Sequence, residues 1–184
     1  MDLRNKRFAI LGLQGSGKTT LAKWILKNFP SHLVYDVLKE YVGFNRYIPK
    51  WRQYGLQSLE ELNLAANKLI IGNEKRPAIF IMDEANRYCP SKRPLPDAVL
   101  ALNDWSRHLG ISFGVIARRP VQLNTDLIEL AHYIIIFNLK GKNDVEYFNS
   151  FVSGLGDQLP NLPKYHFIVV DEHRNYEIYA PVRL

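Results

Sequence analysis

The sequence predicts one α/β domain over residues 1–184, with helices that flank a mainly parallel β-sheet and a β-hairpin near the C-terminus. Apolar runs alternate with segments of helical periodicity along the chain, which is the pattern of βαβ units. One run, Ala78–Met82, is apolar at every position, as expected of a strand that is buried on both faces. A glycine-rich loop over Gly12–Gly17 separates the first apolar run from the first helical segment, so the chain opens with a strand-loop-helix unit.

The individual elements follow from apolar runs, periodicity and punctuation by glycine and proline. The predicted strands are Phe8–Leu11, His32–Val37, Ala78–Met82, Ile111–Ala117, Tyr133–Phe137, and a terminal hairpin of Phe167–Val170 and Tyr176–Tyr179. The predicted helices are Thr19–Phe29, a segment from Ser58 to Gly72, one that follows the proline-rich loop Tyr88–Pro96 and ends near Leu109, Thr125–Ala131, and Asp144–Val152. Ser58 and Glu61 have the spacing of a capping box, and Gly72 is expected to cap the carboxyl end of that helix.

Composition sets few limits on function. The net charge of +6 favours a polyanionic partner such as nucleic acid, nucleotide or a membrane surface, although solubility alone explains it equally well. The single cysteine, Cys89, excludes an intramolecular disulfide, and no Cys/His cluster has zinc spacing. No apolar run reaches the roughly 18 residues of a membrane helix, and the first run stops at Gly12, so neither a transmembrane span nor a signal peptide is expected.

The strongest motif is Gly12-Leu13-Gln14-Gly15-Ser16-Gly17-Lys18-Thr19, which matches G-x-x-x-x-G-K-[ST] at every fixed position. The glycines allow backbone N–H groups to turn towards phosphate oxygens, and the following helix adds the positive end of its dipole. Lys18 is expected to contact the β- and γ-phosphates of ATP as a catalytic cation, and Thr19 to offer its hydroxyl to Mg²⁺. The nucleotide-binding residues are therefore predicted to run from Gly12 to Thr20. A chance glycine-rich turn with a surface lysine is the alternative.

Asp83 and Glu84 form the second motif, at the end of the apolar strand Ala78–Met82. An acid at such a strand tip can hold Mg²⁺, which is the role predicted for Asp83, and the next acid, Glu84, can polarise the attacking water as general base. The alternative is that Asp83 only caps a helix. A second acid is expected of an enzyme that hydrolyses ATP to do work, and it disfavours a small-molecule kinase.

A regulatory GTPase is disfavoured by two further segments. The stretch Asn138-Leu-Lys-Gly lacks the acid of a guanine-reading motif. Asn86 stands where the switch glycine that follows Asp83 would be.

Arginines lie before and after the predicted strand Ile111–Ala117. Arg107 precedes the strand and suits an arginine finger that acts on the nucleotide of a neighbouring subunit. On spacing alone, a cation that stabilises the helix dipole at its C-terminus is the better explanation of Arg107. Arg118 and Arg119 follow the strand directly.

Five features occur in one order: the phosphate loop, the strand that ends in DEANRY, the turn RHLG, the strand IARRP and the later segment DVEYF. In this order they resemble the HerA/FtsK superfamily of DNA-translocating ATPases, over about Lys6 to Val170. The small viral genome-packaging ATPases and the Zot-like phage assembly ATPases are the most similar in size. The resemblance implies a RecA-like P-loop core that works as a homo-oligomeric, commonly hexameric ring, with ATP and Mg²⁺ at subunit interfaces.

The resemblance further implies a motor that moves double-stranded DNA into a viral capsid, with a capsid or portal protein as partner, in the host cytoplasm or with the virion. In such families the strand before Arg-Pro commonly ends in a glutamine that senses the γ-phosphate. This chain has Arg118 there, while Arg119 and Pro120 match the pattern. Because an arginine only donates hydrogen bonds, Arg118 is expected to clamp the γ-phosphate, the alternative being a charge that points into solvent.

Two basic segments are the predicted DNA contacts. Lys92 and Arg93 lie in the proline-rich loop, and Arg46, Lys50 and Arg52 lie among Tyr47, Trp51 and Tyr54. Cations interleaved with aromatic rings suit phosphate contact and base stacking. A solvated loop, or a surface that packs on the next subunit, would have the same composition.

Two other functions remain open from the sequence. One is a nucleotide or small-molecule kinase, and the other is a Zot-like assembly ATPase that uses ATP as a structural switch. The chain has no evident arginine-rich lid, which argues against the kinase. It also has no membrane segment, in which it differs from typical Zot-like proteins.

Overall fold

The eight strands of the computed structural model, which describes residues 1–184, form one sheet. They are β1 (Arg7–Leu11), β2 (His32–Tyr35), β3 (Arg46–Tyr47), β4 (Ile79–Met82), β5 (Ser112–Ala117), β6 (Tyr133–Phe137), β7 (Phe167–Val170) and β8 (Tyr176–Tyr179). Their order across the sheet is β3-β2-β4-β5-β1-β6-β7-β8. All neighbours from β3 to β6 are parallel, and β7 and β8 continue the sheet antiparallel. The predicted mainly parallel sheet with a C-terminal hairpin is confirmed.

Helices lie on both faces of this sheet. They are α1 (Lys18–Lys27), α2 (Leu56–Ala66), α3 (Asp97–Trp105), α4 (Asp126–Glu129), α5 (Lys142–Phe151) and α6 (Leu155–Gln158). β1 sends Ala9 and Leu11 into a core of 35 residues and Phe8 and Ile10 into a second core of 16 residues on the other face. A strand that is buried on both faces needs an apolar side chain at every position, which explains the unbroken apolar runs of the sequence.

The start of α2 differs from the prediction. The helix begins at Leu56 after Gly55, and the Ser58 hydroxyl donates to the Gly55 carbonyl at 2.8 Å. Glu61 does not complete a capping box. Its carboxylate accepts hydrogen bonds from the backbone N–H groups of Lys50 and Trp51, both at 2.8 Å. Backbone N–H groups of the preceding loop also need acceptors, and two of them donate to the Glu61 carboxylate. That carboxylate is therefore not available for a capping box.

The end of α2 also differs, because the helix widens into a π-turn over Asn67–Ile71. The N–H of Gly72 then donates to the Asn67 carbonyl at 2.8 Å, with a φ of −86° rather than the left-handed value of a glycine cap. Two short elements, β3 and α6, have no counterpart among the predicted ones. None of the helices combines the length and the apolar character that crossing a lipid bilayer requires.

Replacing Gly114 in β5 by alanine is expected to destabilise the fold, because a Cβ there would lie 2.2 Å from the Phe8 ring. Phe8 is 1% exposed in the core and has no free space to move into, so we expect a loss of about 1–3 kcal/mol in the free energy of unfolding. Urea denaturation measures this loss. Gly55→Ala adds the same methyl group where no atom lies within 4 Å, so its midpoint should change less. Equal midpoints for the two variants would contradict the packing described.

Candidate nucleotide-binding and catalytic site

The candidate site is built on three adjacent strands, β4, β5 and β1, whose carboxyl ends meet at one edge of the sheet. Leu11 of β1 is in register with Ala117 of β5, and Met82 of β4 is in register with Val115. Each strand therefore delivers its next residues to the same place. These residues are the phosphate loop after β1, the acid pair after β4 and the two arginines after β5.

The phosphate loop has the backbone that its glycines allow. Gly15 and Gly17 have φ values of 75° and 110°, in the left-handed region that favours glycine, and α1 begins directly at Lys18. The Lys18 ammonium donates to the Leu13 carbonyl at 3.0 Å across the loop. Burial lowers the pKa of Lys18, while the charges of Asp83 and Glu84 act in the opposite direction. The Ser16 hydroxyl is buried without a hydrogen-bond partner, so the loop has a polar group unsatisfied by the protein.

A cavity of about 470 Å³ adjoins this loop. Its polar lining comes from the loop, the first turn of α1 and one carboxylate, and its apolar lining from α1 and from the hairpin side of the sheet. The polar residues are Gly15, Gly17, Lys18, Thr19, Thr20 and Glu40; the apolar or aromatic ones are Leu21, Phe137, Tyr165, Phe167, Pro181 and Val182. A nucleotide presents a charged and an apolar surface, and the cavity offers groups for both.

Asp83 and Glu84 are both buried, at 4% and 7% exposure. The pKa of the Asp83 carboxyl is raised to about 7, chiefly by burial and also by the charges of Glu84 and Glu40, while the Glu84 N–H and Lys18 act in the opposite direction. A buried carboxyl whose ionised form is disfavoured gains from a nearby cation. Glu84 has a φ of 51°, a left-handed conformation that is uncommon for residues other than glycine.

Two arginines hold the Glu84 carboxylate. Arg118 contacts both oxygens, with Nε 3.2 Å from Oε1 and a terminal nitrogen 3.2 Å from Oε2. Arg87, three residues after Glu84, places its Nε 3.2 Å from Oε2. Arg118 therefore points at the acid pair rather than into bulk solvent. Arg87 was not among the residues predicted from the sequence, although its place in DEANRY, one helical turn after the acid, was a usable signal.

Arg119 has a different partner from Arg118. Its Nε donates to an Asp144 carboxylate oxygen at 2.8 Å, and Asp144 is 1% exposed in the first turn of α5. The ion pair fastens the exit of β5 to α5. Arg119 is therefore a structural residue, and the two adjacent arginines do different work.

Arg107 lies apart from the other candidate catalytic residues. It is exposed in the turn between α3 and β5, at the amino end of β5, whereas Arg118 follows the carboxyl end. The six residues of β5, at about 3.3 Å each, separate these ends by roughly 20 Å. Arg107 cannot reach a nucleotide bound at the phosphate loop of its own chain.

The cations of the two basic segments differ in whether they are exposed or already paired with an acid. Lys92 and Arg93 are exposed in the loop that follows the acid pair. Lys50 is exposed, with its ammonium 5.3 Å from the centre of the Trp51 ring. Arg46 instead pairs with the fully buried Asp36 at 2.7 Å, which gives it a structural role.

The loop that contains Arg52 is fastened to the exit of β4. Arg52 is half-buried, with its Nε donating to the Pro49 carbonyl at 3.2 Å. A terminal nitrogen of Arg87 donates to the Arg52 carbonyl at 3.4 Å, and the Tyr88 hydroxyl donates to the Trp51 carbonyl at 2.9 Å. Arg87 therefore contacts both this loop and Glu84.

The residues present fit a magnesium ion that arrives with a nucleotide. Thr19 supplies a hydroxyl at the start of α1, and Asp83 supplies a buried carboxyl, both oxygen ligands of the kind that Mg²⁺ prefers. No group of three or more His, Cys, Asp or Glu side chains forms a metal site without a nucleotide. Phosphate oxygens and water would complete the coordination, as is usual for Mg²⁺.

The fold and the site together define a class of protein. A phosphate loop between β1 and α1, with an acid pair two strands away in a parallel sheet, is the arrangement of a RecA-like P-loop NTPase fold. No family model matches the sequence, and no curated protein sequence does so either.

Several solved structures have a fold similar to that of this chain. The chain is similar to the genome packaging NTPase B204 from Sulfolobus turreted icosahedral virus 2 in complex with ATP-gammaS, with a TM-score of 0.78 and 20% identity over 97% of this chain and 98% of that one. The chain is also similar to the N-terminal domain of zonular occludens toxin from Neisseria meningitidis. The TM-score is 0.60 and the sequence identity 15%, over 97% of this chain and 95% of that one. ATPases 2 and 3 of EssC from Geobacillus thermodenitrificans match with a TM-score of 0.55 and 15% sequence identity, over 92% of this chain and 38% of that one. The fold expected from the resemblance to viral genome-packaging ATPases is confirmed.

Replacing Arg119 by glutamine is expected to lower the free energy of unfolding by about 1–3 kcal/mol, because Asp144 stays buried without its charged partner. Arg118→Gln should cost less stability, since Glu84 keeps Arg87. Thermal or urea denaturation of the two variants measures the difference. A larger loss for Arg118→Gln would contradict the division of roles between the two arginines.

Proposed function

We propose that this chain is a magnesium-dependent ATPase of the HerA/FtsK type that moves double-stranded DNA, and that it packages a viral genome into a capsid. The observation that carries the proposal is the buried Glu84 carboxylate, held by two arginines beside a complete phosphate loop. Such an acid is suited to activate water, which a hydrolase needs and a phosphotransferase does not. The likeness to B204, which is described as a genome packaging NTPase, supports the packaging role.

The residues divide the chemistry among them. The loop from Gly12 to Thr20 binds the phosphates through its N–H groups and the start of α1, and Lys18 exchanges the Leu13 carbonyl for β- and γ-phosphate oxygens. Thr19 and Asp83 would hold the metal ion, which would neutralise negative charge on the phosphates. Glu84 accepts a proton from the water as its oxygen bonds to the γ-phosphorus. The bond from that phosphorus to the bridging oxygen breaks, and ADP leaves with the electron pair.

Arg118 acts as the sensor of the γ-phosphate in this proposal. Its guanidinium already spans both oxygens of Glu84, so an incoming γ-phosphate competes with that carboxylate for the same donors. Movement of Arg118 to the phosphate stabilises the charge of the transferred group. It also removes one of the two cations that hold the general base, while Arg87 keeps the carboxylate in place.

The DNA contacts are proposed at Lys92 and Arg93 and at Lys50 and Arg52, whose segments both adjoin the exit of β4. The net charge of +6 is suited to a polyanion. Arg46 is left out because its guanidinium is engaged by Asp36. We further propose a homo-oligomeric ring, commonly hexameric in the HerA/FtsK superfamily, with a capsid or portal protein as partner and a location inside the host cell or with the virion.

A second candidate is an assembly ATPase that does not move DNA. The likeness to the zonular occludens toxin domain favours it over a kinase. Both candidates predict ATP hydrolysis, and stimulation by DNA separates them.

ATP hydrolysis by the purified chain is expected to rise when double-stranded DNA is added, with no phosphorylated acceptor formed. Glu84→Gln should bind ATP but lose roughly 100-fold or more in turnover, because general base catalysis contributes about that much. Lys18→Ala should lose nucleotide binding or turnover. Phosphate release with and without DNA, together with the mass of the assembled species, measures these outcomes.

The DNA contacts are tested in the same assay. Replacing Lys92 and Arg93 together by alanine should reduce the stimulation by DNA, whereas Lys75→Ala, an exposed lysine before β4, should not. A rate of hydrolysis that does not change with DNA at any concentration would favour the assembly ATPase. Retained turnover in Glu84→Gln would remove Glu84 as the base.

Arg107 is expected to act in trans, because it lies at the opposite edge of the sheet from the phosphate loop of its own chain. Arg107→Ala and Glu84→Gln should each be inactive alone. Mixed subunits should regain part of the activity, since some interfaces pair an intact Arg107 with an intact Glu84. Activity measured across mixing ratios tests this, with Lys75→Ala in place of Arg107→Ala as the control. No recovery at any ratio would count against the finger.

A further inference from the structure

The segment between β2 and β3 brings a third carboxylate, Glu40, to the phosphate loop. The Thr19 hydroxyl donates to Glu40 Oε2 at 2.9 Å, and Glu40 lines the same cavity as Lys18 and Thr20. Its second oxygen, Oε1, makes no hydrogen bond within the chain. The negative charge of Glu40 also contributes to the raised pKa of Asp83. The mechanism above leaves Glu40 without a role.

The position of Glu40 is set by a buried ion pair. The Asp36 carboxylate, fully buried after β2, accepts hydrogen bonds from the N–H groups of Glu40 at 2.9 Å and Tyr41 at 3.1 Å. Arg46 neutralises the charge of Asp36 at 2.7 Å. Tyr41 is itself fully buried and anchors the segment from below. The backbone at Glu40 is thus fixed on both sides of the residue.

The contact with Glu40 determines what the Thr19 oxygen can do. A hydroxyl has one proton to donate and two lone pairs to offer. With its proton directed to Glu40, the oxygen of Thr19 keeps a lone pair for a cation. A hydrogen bond to a carboxylate also makes that oxygen more electron-rich, and therefore a better ligand.

The negative charges of Glu40 and Asp83 also influence which form of the nucleotide can bind. Glu40 binds the Thr19 hydroxyl and its charge acts on Asp83, and a triphosphate alone would be repelled by both carboxylates. A divalent cation reverses the sign of that interaction, because each carboxylate then faces a positive charge. Glu40 is therefore suited to favour the nucleotide that carries a metal over the nucleotide that does not.

We propose that Glu40 is a positioning residue for the Mg²⁺-nucleotide complex, which orients the Thr19 hydroxyl and adds a second carboxylate facing the cation. The proposal rests on the nucleotide binding proposed above. It predicts opposite effects of one substitution in the presence and absence of metal. Glu40→Gln should weaken binding of a nucleotide with Mg²⁺ and leave unchanged or strengthen binding of the same nucleotide without metal.

Calorimetric titration with the non-hydrolysable analogue AMPPCP tests this without any turnover. Each protein is titrated with the analogue in Mg²⁺ and again in EDTA, and the ratio of the two dissociation constants is compared. Glu40→Gln should reduce the preference for the metal complex by roughly fivefold or more, a usual size for coupling between two bound ligands. Glu40→Asp, which keeps the charge on a shorter chain, should retain more of the preference than Glu40→Gln.

Glu74→Gln is the matched control, since it removes the same charge from an exposed residue in the turn before β4, at the opposite edge of the sheet. Its preference for the metal complex should equal that of the unmodified protein. Equal weakening in Mg²⁺ and in EDTA for both Glu40 variants would mean that Glu40 only builds the loop, and would overturn the proposal. Absence of binding by the unmodified protein would overturn the proposed function itself and this proposal with it.

Discussion

The parallel alignment of β2, β4, β5 and β1 is the constraint on which the rest of the molecule depends. Parallel strands end at the same edge, so the residues that follow each strand meet without any further folding device. The phosphate loop, the acid pair, Arg118 and the Asp36 segment all arrive this way. The cores on both faces hold the strands in register, which fixes the separation of these groups to within the spacing of neighbouring strands.

Several charged groups at and near the candidate site have partners within the chain. Glu84 has Arg87 and Arg118, Asp36 has Arg46, and the Lys18 ammonium rests on a carbonyl of the loop. Of these groups, Lys18 and Arg118 are the donors proposed to move to phosphate oxygens. In the proposed function, nucleotide binding is therefore an exchange of partners, and its net free energy is a difference between two sets of charged hydrogen bonds.

The sequence predicted what local pattern determines and missed what depends on distant packing. The phosphate loop and the acid pair could be found because each combines a short motif with the end of an apolar strand. The partner of Arg119 could not, because it depends on how α5 packs against the end of β5. Glu40 belongs to no motif, and its contact with Thr19 exists only because β2 lies beside β4. The capping box at Ser58 was wrong because Glu61 binds a loop that precedes the helix.

Arg87 has a mechanical consequence for the loop that contains Arg52. One planar, rigid guanidinium contacts both the Glu84 carboxylate and the backbone carbonyl of Arg52. A group of that shape cannot follow one partner without straining its contact with the other. A displacement of the aromatic, basic segment around Arg52 would therefore reach the Glu84 carboxylate over the length of a single side chain, without deforming the sheet.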